Sequence, residues 1–380
     1  MIAEKTTRRL AGLYIHVPFC RSKCAYCDFY SIADDSQVEG YLHALSREMA
    51  LYRSFAPLFD TVYLGGGTPS CLGTRQLAEL LGRVREDFPI AAGAEITVEV
   101  NPGDVDTVFM RGLRDAGVNR VSIGVQSFDS SILKTLGRRH SGREGREAVE
   151  AARAAGFDNI GLDLIYGVPG QSHELWLETM EAALGFNPEH LSCYELTVEE
   201  GTPFQRRIER GEISLPGEEE AYRFFTSTSA FLEQRGYTHY EVSNFAREHT
   251  LISRHNHKYW DHSPCLGLGP AAHSFGGNRR WWNHRSLELY LRDVNGGRTP
   301  VAGLEDLSAE ELRLEALYFG FRTKRGIYGP DFRKRFGIDL FREKGATLRC
   351  LRDEGFVTLE DEFLAPTRRG LALADRLCLL

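Results

Sequence analysis

Six short runs rich in β-branched residues recur along the first half of the chain, and a stretch with helical spacing follows almost every one. They are "GLYIHV" from Gly12, "TVYLGGG" from Thr61, "EITVEV" from Glu95, "RVSIGV" from Arg120, "NIGLDLIYG" from Asn159 and "HLSCYEL" from His190. Between the first two, Val38, Tyr41, Leu42, Leu45, Met49 and Tyr52 fall on one helical face. After the second, Thr74 is placed to cap a helix. Strand and helix alternating at this length build βαβ units and a parallel sheet. Six repeats predict an α/β fold, an incomplete (β/α)6 barrel and not the closed barrel of eight.

The remainder is divided by composition. Residues 1–235 hold the barrel; residues 236–297 form a His- and Trp-rich segment of loop and short strand; residues 298–380 form a small C-terminal domain. "DVNGGRTPVAGLEDLS" reads as a linker, with Gly and Pro as breakers. Short helices followed by a hairpin give the last unit a winged-helix-like α+β pattern. Its charge is mixed, and the whole chain carries 46 basic against 53 acidic side chains, a net charge of −7. That balance opposes broad nucleic-acid binding, which needs a basic face, and leaves a DNA-associated regulator as the weakest reading. No run approaches the roughly 18 apolar residues of a membrane span. The polar opening "MIAEKTTRRL" lacks an apolar targeting core, so a cytoplasmic protein is expected.

Ligands of parallel α/β barrels bind at the carboxyl ends of the strands. Here those ends carry Gly66, Gly67 and Thr68 after the second strand, Glu99 on the third, Gln126 after the fourth, Asp163 within the fifth and Glu195 on the sixth. A charged group inside an apolar strand is costly unless it is paired, and several at one end of successive strands point to a single polar site. The first strand runs into "HVPFCRSKCAYCDFYS", which sets Cys20, Cys24 and Cys27 within eight residues. Structural zinc wants four ligands, and no second pair is offered; a redox pair would leave Cys20 idle. An iron–sulfur cluster held by three thiolates keeps one iron open, and this reading uses all three cysteines.

CxxxCxxC with Tyr26 before the third cysteine resembles the radical S-adenosylmethionine (SAM) superfamily. There the open iron of a [4Fe-4S] cluster is chelated by the amino and carboxylate groups of SAM, whose reductive cleavage yields a 5′-deoxyadenosyl radical. "YIHVPFC", "LGGGTPS", "EVNP", "RVSIGVQSF", "DLIYGVPGQ" and the C-terminal unit resemble the oxygen-independent coproporphyrinogen III oxidase group over nearly the whole chain. That resemblance implies SAM contacts at Tyr14, Gly66, Gly67, Thr68, Glu99, Gln126, Arg138 and Asp163, with the backbone of Tyr26, and cluster ligands at Cys20, Cys24 and Cys27.

Two departures weigh against the oxidase itself. Its pattern has another cysteine two positions after the third ligand, where Asp28 and Phe29 follow Cys27 here, and a longer N-terminal segment, where only about eleven residues precede the first expected strand here. His255, Asn256, Tyr259 and Trp260 instead spell HNxxYW, which resembles the HemW-type heme chaperones. This implies heme binding, with His255 as the candidate residue, and transfer of heme to client hemoproteins such as respiratory enzymes. An imidazole with flat apolar walls is the usual equipment for holding heme, and His257, His262, Trp281 and Trp282 lie close by in sequence. The alternative is an active enzyme of the same group, a decarboxylating oxidase or another radical SAM enzyme of porphyrin metabolism. An open-faced barrel also leaves room for a homodimer.

Overall fold

A computed structural model of the chain describes residues 9–378. Residues 1–8 of the polar opening and the last two residues of the C-terminal unit lie outside that range. The six expected strands are β1 (Ala11–Val17), β2 (Phe59–Gly66), β3 (Ile90–Val100), β4 (Arg120–Gln126), β5 (Ile160–Tyr166) and β6 (His190–Glu195). They lie side by side in chain order, each parallel to the next. Helices cover the outer face: Tyr41, Leu45 and Met49 on Val38–Leu51, and Leu77, Leu81 and Val84 on Thr74–Asp87, are buried against the sheet. Thr74 begins its helix instead of capping it. The cap is Gly73, whose N–H donates to Gln76 Oε1 at 3.1 Å, one turn inside.

Six strands curl without closing, so the two edges need partners. One segment supplies both. β7 (Thr238–Glu241) and β8 (Asn244–Ala246) form an antiparallel pair with β8 against β6. β9 (Cys265–Leu268) then pairs in parallel with β1 at the opposite edge. β10 (His273–Gly276), β11 (Arg279–Asn283) and β12 (Val301–Asp306) extend that edge antiparallel, giving a sheet of 12 strands. The stretch that reads as a linker therefore contains a strand: Gly303 pairs with Trp282, whose indole lies over it where a Cβ would stand 2.4 Å from the ring. Gly and Pro broke the sequence pattern, but the glycine makes room for an indole.

To pass from the β6 edge to the β1 edge, the chain crosses the barrel's amino end as the helix Arg254–Trp260. The C-terminal unit has its own core of Leu317, Phe321, Ile327, Phe332, Leu348 and Leu364. β13 (Ile327–Tyr328), β14 (Val357–Glu360) and β15 (Phe363–Pro366) make its small sheet, with β14 and β15 joined by a two-residue turn at Asp361 and Glu362, both at positive φ. It docks on β7 through backbone bonds from Val242 N to Arg322 O (2.9 Å) and from Lys324 N to Tyr240 O (3.0 Å). No helix among the described residues is long and apolar enough to cross a membrane.

Candidate functional site

The cysteine loop leaves β1 and is stapled at its base by Cys20 N to Ile32 O (2.9 Å) and Ile32 N to Pro18 O (2.8 Å). The glycine turn after β2 is bonded to the same stem, Gly67 N to Val17 O and Thr68 N to Phe19 O, each 2.8 Å. A Cβ on Gly67 would stand 2.8 Å from both of those carbonyls, and Gly66 takes φ +106° against the ring of His16. Only glycine lets the two loops meet. Thr68 Oγ1 lies 3.2 Å from Cys20 Sγ, and Arg138 Nη1 donates to Cys24 Sγ at 3.4 Å while Nη2 donates to Gly124 O at 2.8 Å. All three thiols are half-buried, and burial pushes the Cys27 thiol up to about 11. Bound metal would hold these sulfurs as thiolates in spite of that cost. No three His, Cys, Asp or Glu side chains among the described residues converge on a single ion position. A cubane takes one thiolate per iron and has no need of that convergence.

Beside the loop opens a cavity of about 590 Å³ running down the barrel interior. Tyr26, Cys27, Gly66, Gly67, Thr68, Glu99, Gln126, Arg138 and Asp163 all line it, as does Glu195. Tyr14 is not at its wall; its ring stacks on Tyr63 at 6.1 Å and its hydroxyl lies 3.2 Å from His16 Nδ1. Tyr63 O–H donates to Glu99 Oε1 at 2.7 Å, yet burial still raises that carboxyl to about 7. Asp163 is raised by burial as well, with Ser122 Oγ donating to it at 3.1 and 3.2 Å. Gln126 sits at φ +64°, where β4 breaks register with β5, and its Oε1 is buried without a hydrogen-bond partner. An orphaned amide oxygen on a strained backbone, beside a glycine turn and two acids, is a cradle built for a polar ligand. The residues fit SAM.

Asp28 and Phe29 diverge physically as well as by motif. Asp28 Oδ1 accepts from Arg285 at 2.7 Å, tying the loop to the segment after β11, and Phe29 at the cavity mouth is 66% exposed.

The HNxxYW helix lies at the other end. Its first two N–H groups, of Arg254 and His255, donate to the Glu95 carboxylate at 3.1 and 3.0 Å, and Ser253 caps Asn256 N. Lys258 pairs with Asp60 at 2.6 Å and donates to Leu10 O. His255 is 1% exposed, with Nδ1 at 2.8 Å from Thr61 Oγ1 and Nε2 at 3.0 Å from Tyr259 Oη. The structure does not bring His255 to the cavity. The helix is a plug in the barrel floor, and only Asn256 of the motif reaches the cavity wall. Sequence reasoning missed Tyr63, Asn256 and Arg120, all of which line the cavity. The signal for Arg120 was present, because it shares its strand face with Ser122 and Gly124.

A parallel six-stranded partial barrel with a three-cysteine loop at its mouth is the fold of the radical SAM superfamily, whose model matches residues 14–183. The HemN C-terminal domain model matches residues 307–373. Heme chaperone HemW of Mycobacterium tuberculosis (strain ATCC 25618 / H37Rv) is 38% identical over 96% of this chain and 93% of its own length. That of Bacillus subtilis (strain 168) is 32% identical over 96% and 97%. The chain belongs to the HemW family. In fold it is similar to coproporphyrinogen III oxidase (HemN) from Escherichia coli, a radical SAM enzyme, with a TM-score of 0.83 at 24% identity over 98% of this chain and 90% of that one.

Proposed function

We propose that this protein binds heme and passes it to client hemoproteins, respiratory enzymes among them, acting in the cytoplasm. The observation that carries the reading is 32–38% identity, over 96% of the chain, to proteins named heme chaperones. The mouth of the barrel supports it: the position where the oxidase pattern has a further cysteine is held by an exposed phenylalanine. Cys20, Cys24 and Cys27 would hold the [4Fe-4S] cluster, with Gly66, Gly67, Thr68, Glu99, Gln126, Arg138, Asp163 and the Tyr26 backbone around SAM. Together these groups supply one-electron cleavage chemistry when bound. The protein's own part is to position them. Arg138 reaches the loop of Cys24, the glycine turn fixes the loop stem, and Glu99 and Asp163 present acceptors.

His255 carries no part of this reading, since both ring nitrogens are engaged in the floor. Anaerobically reconstituted protein is expected to bind about one heme, seen as a Soret shift on titration, and to leave coproporphyrinogen III unchanged. Appearance of protoporphyrinogen IX overturns the chaperone reading. It would favour the second one, a radical SAM enzyme of porphyrin metabolism, for which the intact cavity speaks.

A further inference from the structure

Arg120 lies on the inward face of β4, below Ser122 and Gly124, with its guanidinium on the floor of the cavity. It is 1% exposed. Among the described residues no side chain or carbonyl closes a hydrogen bond or ion pair with it, and its Nε is buried without a partner. Two carboxylates are near enough to favour its charge, Glu95 and Asp163, but both are used elsewhere. Glu95 caps the floor helix through the Arg254 and His255 N–H groups, and Asp163 accepts from Ser122. The neighbouring His190 is held neutral by burial, adds no counter-charge, and leaves its own Nδ1 unpartnered. Room for the guanidinium is made by Gly161, where a Cβ would come within 3.1 Å of Arg120 Nη2. A buried guanidinium held by neighbouring charges without a hydrogen bond to either carboxylate still has N–H donors to offer. With space beside it, such a group is poised for an anion.

We infer that Arg120 is a receptor for a carboxylate of the molecule that enters the barrel, at a subsite on the floor below the SAM contacts. The planar guanidinium matches a carboxylate through paired N–H donors. Ser122, Ser192 and Asn256 also line the cavity and add to its polar lining. The other cavity arginine, Arg138, is committed to the cluster end through Cys24 and Gly124. The carboxylate bound at Arg120 thus belongs to whatever reaches deepest. On the heme-chaperone reading, on which this source rests, that is a heme propionate; the other source with the same chemistry is the carboxylate of a SAM molecule bound deeper than the one at the cluster.

The test titrates the full, anaerobically reconstituted chain and its Arg120→Gln and Arg120→Lys variants with four probes. These are heme, heme dimethyl ester, SAM and decarboxylated SAM. A charge-assisted bidentate contact is worth about tenfold or more in affinity. Expected is a loss of that size for heme in Arg120→Gln and an equal loss for the ester in the wild type. The ester should show no further loss in the variant, and Arg120→Lys should recover part of the heme affinity. The same non-additive pattern with SAM and its decarboxylated form would keep the receptor and assign its carboxylate to SAM. If wild-type protein binds no heme, the chaperone reading fails and the SAM arm alone decides Arg120. If the probes bind and neither esterification nor decarboxylation interacts with the substitution, the receptor is overturned and Arg120 is only a counter-charge for Glu95 and Asp163. Because each comparison is made within one protein, a general loss of stability in a variant does not mimic the result.

Discussion

The two ends of this barrel use similar residues to opposite effect. At the mouth, polar groups are left open: Gln126 Oε1 has no partner, its backbone is strained, and burial lifts Glu99 toward neutrality. At the floor, the helix Arg254–Trp260 carries histidines, a tyrosine and a tryptophan in a motif that suggests a ligand. There the Glu95 carboxylate, Thr61 and Tyr259 close the bonds of Arg254 and His255. A histidine that has spent both nitrogens on the protein is part of the frame, whatever its motif. Arg120 is the exception at the floor, which is why it reads as functional.

Four measurements can break or sharpen that contrast. The largest effect is expected for Cys24→Ser, which removes one of three thiolates. Iron, sulfide and the iron–sulfur absorbance should fall to near background, and wild-type metal content would show that the mouth is not the cluster site. Next is His255→Ala. Deleting a buried ring with two hydrogen bonds should cost about 2–4 kcal/mol in denaturant melts, with heme stoichiometry and metal content unchanged in the folded fraction. Loss of heme binding at unchanged stability would reverse the roles assigned to the two ends.

The third prediction concerns pH. Burial raises Glu99 to about 7 from its ordinary 4.5, so the folded apoprotein holds that proton more tightly than the unfolded chain does. Its contribution to stability is complete below pH 4.5 and is lost as pH rises through 7. Glu99→Gln should flatten that part of the stability–pH curve by about 1–3 kcal/mol between pH 5 and 8. Parallel curves for variant and wild type would remove the argument that the mouth stores electrostatic cost for a ligand. Smallest is Asp28→Asn, which breaks a surface pair whose side chains are about half exposed. It should shift stability by no more than about 1 kcal/mol, and raised salt should shrink the difference further.

Much of the mouth was legible in the sequence because its demands are local. Three thiols in one loop, glycines at a strand end and acids in apolar runs each announce themselves within a few residues. The parallel order of β1–β6 followed from alternation alone. The floor was not legible, because what decides His255 is its contact with Thr61, far away in the chain, and spacing says nothing of that. β7–β11 were legible only as short strands without an order, and β12 only as a linker, for a related reason. Strands of three to six residues take their stability from an edge supplied elsewhere, and their own patterning is weak. Asn256 and Arg120 were missed because one sits in a motif read for its histidine and the other opens a strand, where a charged residue looks like a solvated end.

The pairing of β9 with β1 has a consequence for synthesis. Residues Gly12–Ile15 leave the ribosome early, but the strand that covers their open edge, Cys265–Leu268, follows only after the rest of the barrel has been made. Until then β1 has a partner on one side only, and an exposed strand edge is a template for misassociation. The nascent barrel is thus sticky along the strand that leads into the cysteine loop, and slow elongation before residue 268 would lengthen that exposure. Cluster delivery during this interval would meet a loop anchored on one side.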